Sequence, residues 1–252
     1  MPMLRVFLRA PAILAVTLLS YLGIVASLPL RRFAAARQLR LRNAIFRAWA
    51  RLCARIVGLR VEVEGVPPRG GFLLVSNHVS YMDVILLATR LDAAFVAKAD
   101  LRGWPVLGRA FAVADTIFID RSRRRDVLRV MEQVGRELDR GLGVVIFPEG
   151  TSGKGDGILR FKPSLLDYAA RRDLPVHFVA LSYATPDGYG PPSRLVCWWG
   201  DAPFLPHFLE LLRLPSFQAR LVFGEAPVHD GDRKALAGAL RGAVAERFAP
   251  MP

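Results

Sequence analysis

Cysteine is scarce in this chain: Cys53 and Cys197 are the two in 252 residues. A single widely separated pair makes no disulfide framework and no zinc-ligand spacing, so a reduced cytosolic setting is the simple expectation. Histidine is almost as rare. His177, His207 and His229 show no metal-ligand spacing and read as structural or surface residues, so neither metal nor cofactor is expected. A Gly-x-Ser-x-Gly elbow is missing, since Gly150-Thr151-Ser152-Gly153-Lys154 lacks the last glycine, which excludes the usual serine esterase. The same stretch lacks Gly-Lys-Ser/Thr and is no P-loop. No internal repeat or low-complexity linker divides the chain. Helix-turn-helix, zinc-finger and aromatic RNA-binding signatures are also wanting, so the net charge of +13 points to anionic lipid and carrier phosphates and not to nucleic acid. Arginine supplies most of that charge, with only Lys98, Lys154, Lys162 and Lys234 beside it. A GC-rich genome alone could produce that ratio. It does not explain why Asp and Glu are absent between Arg31 and Arg60.

What the chain does have is apolar sequence, 52% of its residues, concentrated at the N-terminus. Pro11 to Leu30 carries no charge over twenty residues. As a helix it would be about 30 Å long, enough to cross a hydrocarbon core. A cleaved signal peptide competes with this reading, because Arg5 and Arg9 precede the run and Val25-Ala26-Ser27 offers small residues. The run is long for that purpose, and the arginines after it oppose export. Arg31, Arg32, Arg37, Arg40, Arg42, Arg47, Arg51, Arg55 and Arg60 place this flank in the cytoplasm by the positive-inside rule. Phe33, Leu39, Leu41, Ile45, Phe46, Trp49, Leu52, Ile56 and Val57 recur every three to four residues between them. That pattern is a basic amphipathic helix with its apolar face on core or acyl chains. Near anionic lipid each arginine could contribute roughly 1 kcal/mol.

From Leu59 onward, short apolar runs alternate with helical stretches. Leu59–Val63, Phe72–Ser76, Ala93–Ala97, Thr116–Ile119, Val144–Phe147, Val176–Leu181, Leu195–Trp198 and Ala219–Phe223 read as strands. Ser122 caps a helix that Gly141 ends, Pro163 opens another, Phe204–Leu212 reads as helical, and Asp232 begins the last. The expected fold is α/β, a mixed sheet with covering helices, preceded by an N-terminal helical membrane-anchoring element. The predicted division is residues 1–58 for the anchoring helices and 59–252 for the α/β domain.

Two segments carry chemistry. Phe72-Leu73-Leu74-Val75 is a buried-strand run that Ser76-Asn77 ends, which puts His78 at a strand-to-helix junction, where ligands commonly bind. Residues five apart on a regular helix diverge by about 140°. His78 should therefore precede the helix and Asp83 lie in it, free to fold back onto the imidazole, fix its tautomer and stabilise the imidazolium. In the second segment, Pro148 and Gly150 make a tight turn after Val144-Val145-Ile146, turning Glu149 and backbone N–H groups toward a polar ligand.

Asn77-His78-x-Ser80-x-x-Asp83 and Phe147-Pro148-Glu149-Gly150-Thr151, in this order behind an apolar N-terminus, resemble the first and third motifs of the glycerolipid acyltransferases. The resemblance spans Leu59 to Phe223. It implies His78 as general base on the acceptor hydroxyl, Asp83 as its orienter, and Glu149, Gly150 and Thr151 as acceptor-binding residues. Phe118-Ile119-Asp120-Arg121 matches the second motif, with Lys98 and Gly103-Trp104-Pro105 before it. An arginine at a strand end can grip phosphate bidentately, so Arg121, and after it Lys98, are candidates for the acceptor headgroup. Arg123, Arg124 and Arg125 read as a solvated helix start.

The chain departs from the family at two places. Arginine usually follows the third-motif threonine in phosphatidate-forming members, where this chain has Ser152-Gly153-Lys154. The fourth motif lacks its proline in Pro175-Val176-His177-Phe178-Val179-Ala180-Leu181. The Glu-Gly-Thr-Ser sequence, Phe161-Lys162-Pro163-Ser164 and Trp198-Trp199-Gly200-Asp201 with His207 are more similar to the bacterial branch that acylates lyso-ornithine lipid. Arg160 or Lys162 could replace the missing charge. Trp198 and Trp199 read as sheet packing or an interface anchor.

The expected activity is O-acyl transfer from acyl-CoA or acyl carrier protein to a lysolipid hydroxyl. The acceptor expected first is 1-acylglycerol 3-phosphate, with lyso-ornithine lipid as the alternative. The expected place is the inner membrane, on an anionic surface with the site facing the cytoplasm. The rival of another class is a non-catalytic lipid-binding protein on the same fold. Intact His78, Asp83 and Glu149 argue against it. An acyl-enzyme on Ser76 or Ser80 is a second rival, which would make the mechanism hydrolase-like.

Overall fold

The computed structural model describes residues 2–103, 107–120 and 124–251. The readings placed on Trp104, Pro105, Arg121, Ser122 and Arg123 lie outside those residues. Helix α1 runs from Pro2 to Ser27, and a 3₁₀ turn, Leu28–Arg32, leads to α2, Ala35–Val57. Pro11 sits within α1, and the helix continues past it to Ser27. α1 turns Phe7, Leu8, Leu14, Leu18, Leu19 and Leu22 outward. Its other side, through Val6, Ala10, Ile13 and Val16, lies on the core.

The two helices are tied together and to the domain by polar contacts as well. The Trp49 indole N–H donates to Thr17 Oγ1 at 3.0 Å. Arg9 in α1 donates to the carbonyls of Leu212, Leu214 and Pro215 at 3.1, 2.5 and 2.9 Å. α2 ends at Gly58, in the left-handed region at φ 82°, where a Cβ would come within 2.7 Å of the Pro215 carbonyl. The periodic apolar residues of α2 meet the core: Trp49, Ala50, Cys53, Ala54 and Val57 are buried in it. Its arginines are divided. Arg42 is buried and paired with Asp115, Arg47 reaches Asp92 at 3.0 Å, and Arg51 donates to the Thr89 carbonyl at 3.3 Å. Burial pulls the Arg42 guanidinium down to about 10. These three are held by the protein.

The strands are β1 (Leu59–Glu64), β2 (Leu73–Ser76), β3 (Ala93–Lys98), β4 (Ile117–Ile119), β5 (Gly143–Ile146), β6 (Val176–Ala184) and β7 (Phe217–Phe223). Among the described residues they form one sheet of order β1-β7-β6-β2-β5-β3-β4. β6, β2, β5, β3 and β4 are parallel, while β7 runs antiparallel to β6 and carries β1 beside it. The helices between them are α3 (Met82–Ala88), α4 (Leu107–Val113), α5 (Arg124–Asp139), α6 (Asp167–Arg171), α7 (Pro192–Leu195), α8 (Phe204–Leu211) and α9 (Arg233–Ala245). Asp232 caps α9 by accepting from the N–H groups of Lys234 and Ala235.

Both faces of the sheet are covered, which is why β2 and β5 read as unbroken apolar runs. Leu74, Phe95, Val145, Val179 and Leu221 face the core shared with α2, α3 and α8. Leu73, Val75, Val144, Ile146 and Phe178 face the other, with residues of α5, α6 and α9. Each fully buried Leu, Ile or Phe contributes roughly 1.5–3 kcal/mol.

One predicted strand is corrected. Leu195–Trp198 is not in the sheet, because Pro191 and Pro192 open the short helix α7 instead. Proline pre-sets the helical φ at a first turn, and a four-residue apolar run has no periodicity with which to resist.

Candidate active site

The parallel pairing of β2 and β5 builds the site. Leu73 lies opposite Val144 and Val75 opposite Ile146. Continued past the strand ends, the same offset of 71 residues sets His78 against Glu149. The His78 N–H donates to Glu149 Oε1 at 3.2 Å, and the His78 carbonyl accepts from the Gly153 N–H at 2.8 Å. Two loops distant in sequence are thus stitched together at the carboxyl end of the sheet. Asn77 extends the β2–β6 ladder through its side chain, donating to the Leu181 carbonyl and accepting from the Leu181 N–H, both at 2.9 Å. It acts as a piece of strand, so the chain can leave the sheet at His78 without orphaned backbone groups.

Asp83 lies in the first turn of α3 and His78 before it. Their separation is 2.7 Å from Asp83 Oδ2 to His78 Nδ1. The same oxygen accepts from the N–H groups of Val79 at 2.7 Å and Ser80 at 2.9 Å. Its partner Oδ1 accepts from the Tyr183 hydroxyl at 2.8 Å. Asp83 is fully buried, and His78 keeps 23% of its side chain exposed, its ring stacked 4.2 Å from that of Phe147. With Nδ1 donating to the carboxylate, Nε2 holds the free lone pair. Ser76 and Ser80 are fully buried, which leaves neither in a position to carry an acyl group.

Glu149 is 3% exposed and its carboxyl is pushed up to about 8, mainly by burial and further by nearby Asp83. Burial thus favours its uncharged form, which limits the negative charge beneath the imidazole. Gly150 turns the chain at φ 80°, with its N–H on the Phe147 carbonyl at 3.2 Å, while Thr151 is exposed at the loop tip. Arg241 of α9 holds the far end of this loop through the carbonyls of Ile158 and Leu159.

Lys98 ends β3, is exposed, and pairs with Asp100 at 2.5 Å, with no hydrogen bond to His78 or Glu149. Arg121 lies outside the described residues. Burial pushes the thiols of Cys53 and Cys197 up to about 12, which makes both poor nucleophiles. Among the described residues no three His, Cys, Asp or Glu side chains converge to hold a metal ion. His177 lies edge-on to Phe72, and His229 bonds Asp173 at 3.1 Å. Trp198 packs on Tyr81 and Phe204, and its backbone N–H donates to the Val79 carbonyl at 2.7 Å. It buttresses the His78 loop and not the sheet.

Tyr183 is the residue that sequence reading missed. Nothing near it in sequence marks it, since it comes from β6, 100 residues from Asp83. Its hydroxyl touches the carboxylate, so any influence it has on the imidazole passes through Asp83. Replacing Tyr183 by phenylalanine should lower kcat by roughly tenfold, the size of a hydrogen bond to a charged group. KM for the acceptor should stay level, so that the loss falls on kcat alone. A merely structural Tyr183 would lower the melting temperature and leave kcat and KM of the folded protein unchanged.

The acyltransferase family model matches residues 59–182. A lyso-ornithine lipid O-acyltransferase from Rhizobium meliloti is 35% identical over 196 residues, covering 73% of this chain and 67% of that protein. A 1-acyl-sn-glycerol-3-phosphate acyltransferase from Neisseria gonorrhoeae is 36% identical over 132 residues, 52% of each chain. The crystal structure of the 1-acyl-sn-glycerophosphate acyltransferase PlsC from Thermotoga maritima shares the fold, with a TM-score of 0.67 over 98% of both chains at 21% identity.

Proposed function

This chain belongs to the acyltransferase family, and from that premise we propose that it is a membrane-attached O-acyltransferase acting on a lysolipid. The observation that carries the reading is the imidazole of His78, oriented through Nδ1 by a buried carboxylate and open at Nε2. His78 Nε2 takes the proton of the acceptor hydroxyl as its oxygen attacks the thioester carbonyl of acyl-CoA or acyl carrier protein. The tetrahedral intermediate collapses, the thiolate leaves, and the imidazolium returns the proton to sulfur. Glu149, Gly150 and Thr151 form the acceptor side of the site. Lys98 and Arg121 are assigned to phosphate, of the acceptor or of the carrier.

Of the two acceptors that the relatives' names print, lyso-ornithine lipid is the one we favour. The relative acting on it matches more of this chain, and Ser152 stands where phosphatidate-forming members carry arginine. α1 supports attachment to the membrane: its best stretch has a mean hydropathy of 2.1 and is 17% buried. Because Arg9 is held by carbonyls of the α8–β7 loop, α1 stays against the domain and lays its leucine face into one leaflet. On this reading the site works at the cytoplasmic face of the inner membrane, with the remaining arginines of the 31–60 segment toward anionic headgroups.

The test is acyl transfer by the full chain in mixed micelles, from labelled acyl-CoA and from labelled acyl carrier protein, to each lysolipid in parallel. Transfer to lyso-ornithine lipid with a kcat/KM at least tenfold above that for lysophosphatidate is expected. Binding of either lipid without transfer from either donor would overturn the enzyme reading in favour of a lipid-binding protein.

A further inference from the structure

A cleft of about 400 Å³ opens beside the third-motif loop, lined among others by Lys154, Arg194, Cys197, Trp199, Asp201 and His207. That volume suits a small polar group. Its walls are joined to the His78 loop at three points. The N–H of Gly153, next to Lys154, donates to the His78 carbonyl, and that of Trp198 donates to the Val79 carbonyl. The Tyr81 hydroxyl lies 3.0 Å from His207 Nδ1. On the cleft floor, Cys197 is close enough to Asp83 for the carboxylate to help raise its thiol pKa.

The charges in the cleft are unlike those of a phosphate site. Arg194 is already engaged by Glu210 at 2.9 Å. What is left is one exposed cation, Lys154, and one exposed anion, Asp201, and among the described residues neither is held in an ion pair. A phosphate monoester entering here would meet one attraction and one repulsion. A headgroup carrying a carboxylate and an ammonium would satisfy both charges.

We propose that this cleft receives a zwitterionic amino-acid headgroup of the acceptor, with Lys154 on its carboxylate and Asp201 on its ammonium. The proposal rests on the lyso-ornithine reading above. Ornithine acylated on its α-nitrogen keeps one group of each sign. Asp201 thus does two things: it holds the ammonium and it turns lysophosphatidate away. The same loop in which the expected arginine is missing supplies Lys154, which stands at the cleft instead.

The experiment compares wild type with Lys154→Gln, Asp201→Asn and Asp201→Glu, measuring kcat and KM for both lysolipids in mixed micelles. Nα-acetylornithine serves as a soluble competitor. Asp201→Asn and Lys154→Gln should each raise KM for lyso-ornithine lipid roughly fivefold to tenfold, the loss of one charge-assisted contact. Asp201→Asn should at the same time lower KM for lysophosphatidate, and Asp201→Glu should restore the wild-type preference. Nα-acetylornithine should compete with lyso-ornithine lipid on the wild type and weaken on both neutral variants. If the wild type acylates lyso-ornithine lipid while all three variants keep its KM and the competitor's strength, the cleft assignment falls and the acceptor reading stands. If KM for the two lysolipids moves together, the residues sense the membrane surface and the assignment also falls. A wild type that acylates lysophosphatidate alone would overturn both.

Discussion

Alanine at position 78 is expected to lower acyl transfer by roughly 10²- to 10⁴-fold, the usual contribution of a positioned base. The hydroxyl of an acceptor is a poor nucleophile until its proton has somewhere to go, and His78 Nε2 is the open, oriented acceptor for it. Cys53 and Cys197, with thiols pushed up to about 12, and the fully buried Ser76 and Ser80 offer no second route. Folding should survive, because the loop is held by backbone contacts that alanine retains, from the His78 N–H to Glu149 and from the Gly153 N–H to the His78 carbonyl. Initial rates with a saturating thioester donor, beside a thermal melt, read out both effects. A variant that melts like wild type and keeps more than a tenth of its rate would remove His78 from the chemistry.

The sequence made the local half of this site legible. Asn77 and Ser76 announced the end of β2, and five residues of spacing were enough to place Asp83 in the first turn of α3 with His78 outside it. The alternation of apolar runs also located most of the sheet. What the sequence could not carry is pairing between distant segments. That β2 and β5 are neighbours, and so bring Glu149 under His78, depends on strand order, which no spacing encodes. Tyr183 reaches Asp83 only because β6 lies on the other side of β2. The division of the arginines in α2 between Asp115, Asp92 and solvent has the same origin. Trp198 was misplaced because a short apolar run looks alike in a strand and in a loop that buries its side chains against Tyr81 and Phe204.

Asparagine at position 83 should cost as much in rate as alanine at 78 while costing much less in stability than alanine at 83. Three N–H groups converge on Oδ2, from His78, Val79 and Ser80, and one hydroxyl, from Tyr183, meets Oδ1. Asparagine can keep its oxygen toward the three N–H donors and turn its NH₂ to Tyr183, whose hydroxyl oxygen is able to accept. The scaffold of the loop then survives and only the negative charge is lost. Without that charge, nothing buried beside the imidazole stabilises its cationic form as the hydroxyl proton arrives, and a loss of roughly 10³- to 10⁴-fold follows by the logic of an oriented acid–base pair. Alanine instead strands the Val79 and Ser80 N–H groups in a buried position, at a cost of about 1–3 kcal/mol for each. Rates and melting curves for the two variants therefore separate the carboxylate's two tasks. Should Asp83→Asn retain more than about a tenth of the wild-type rate, the carboxylate only props the loop, and the stabilisation of the His78 imidazolium must come from elsewhere in the site.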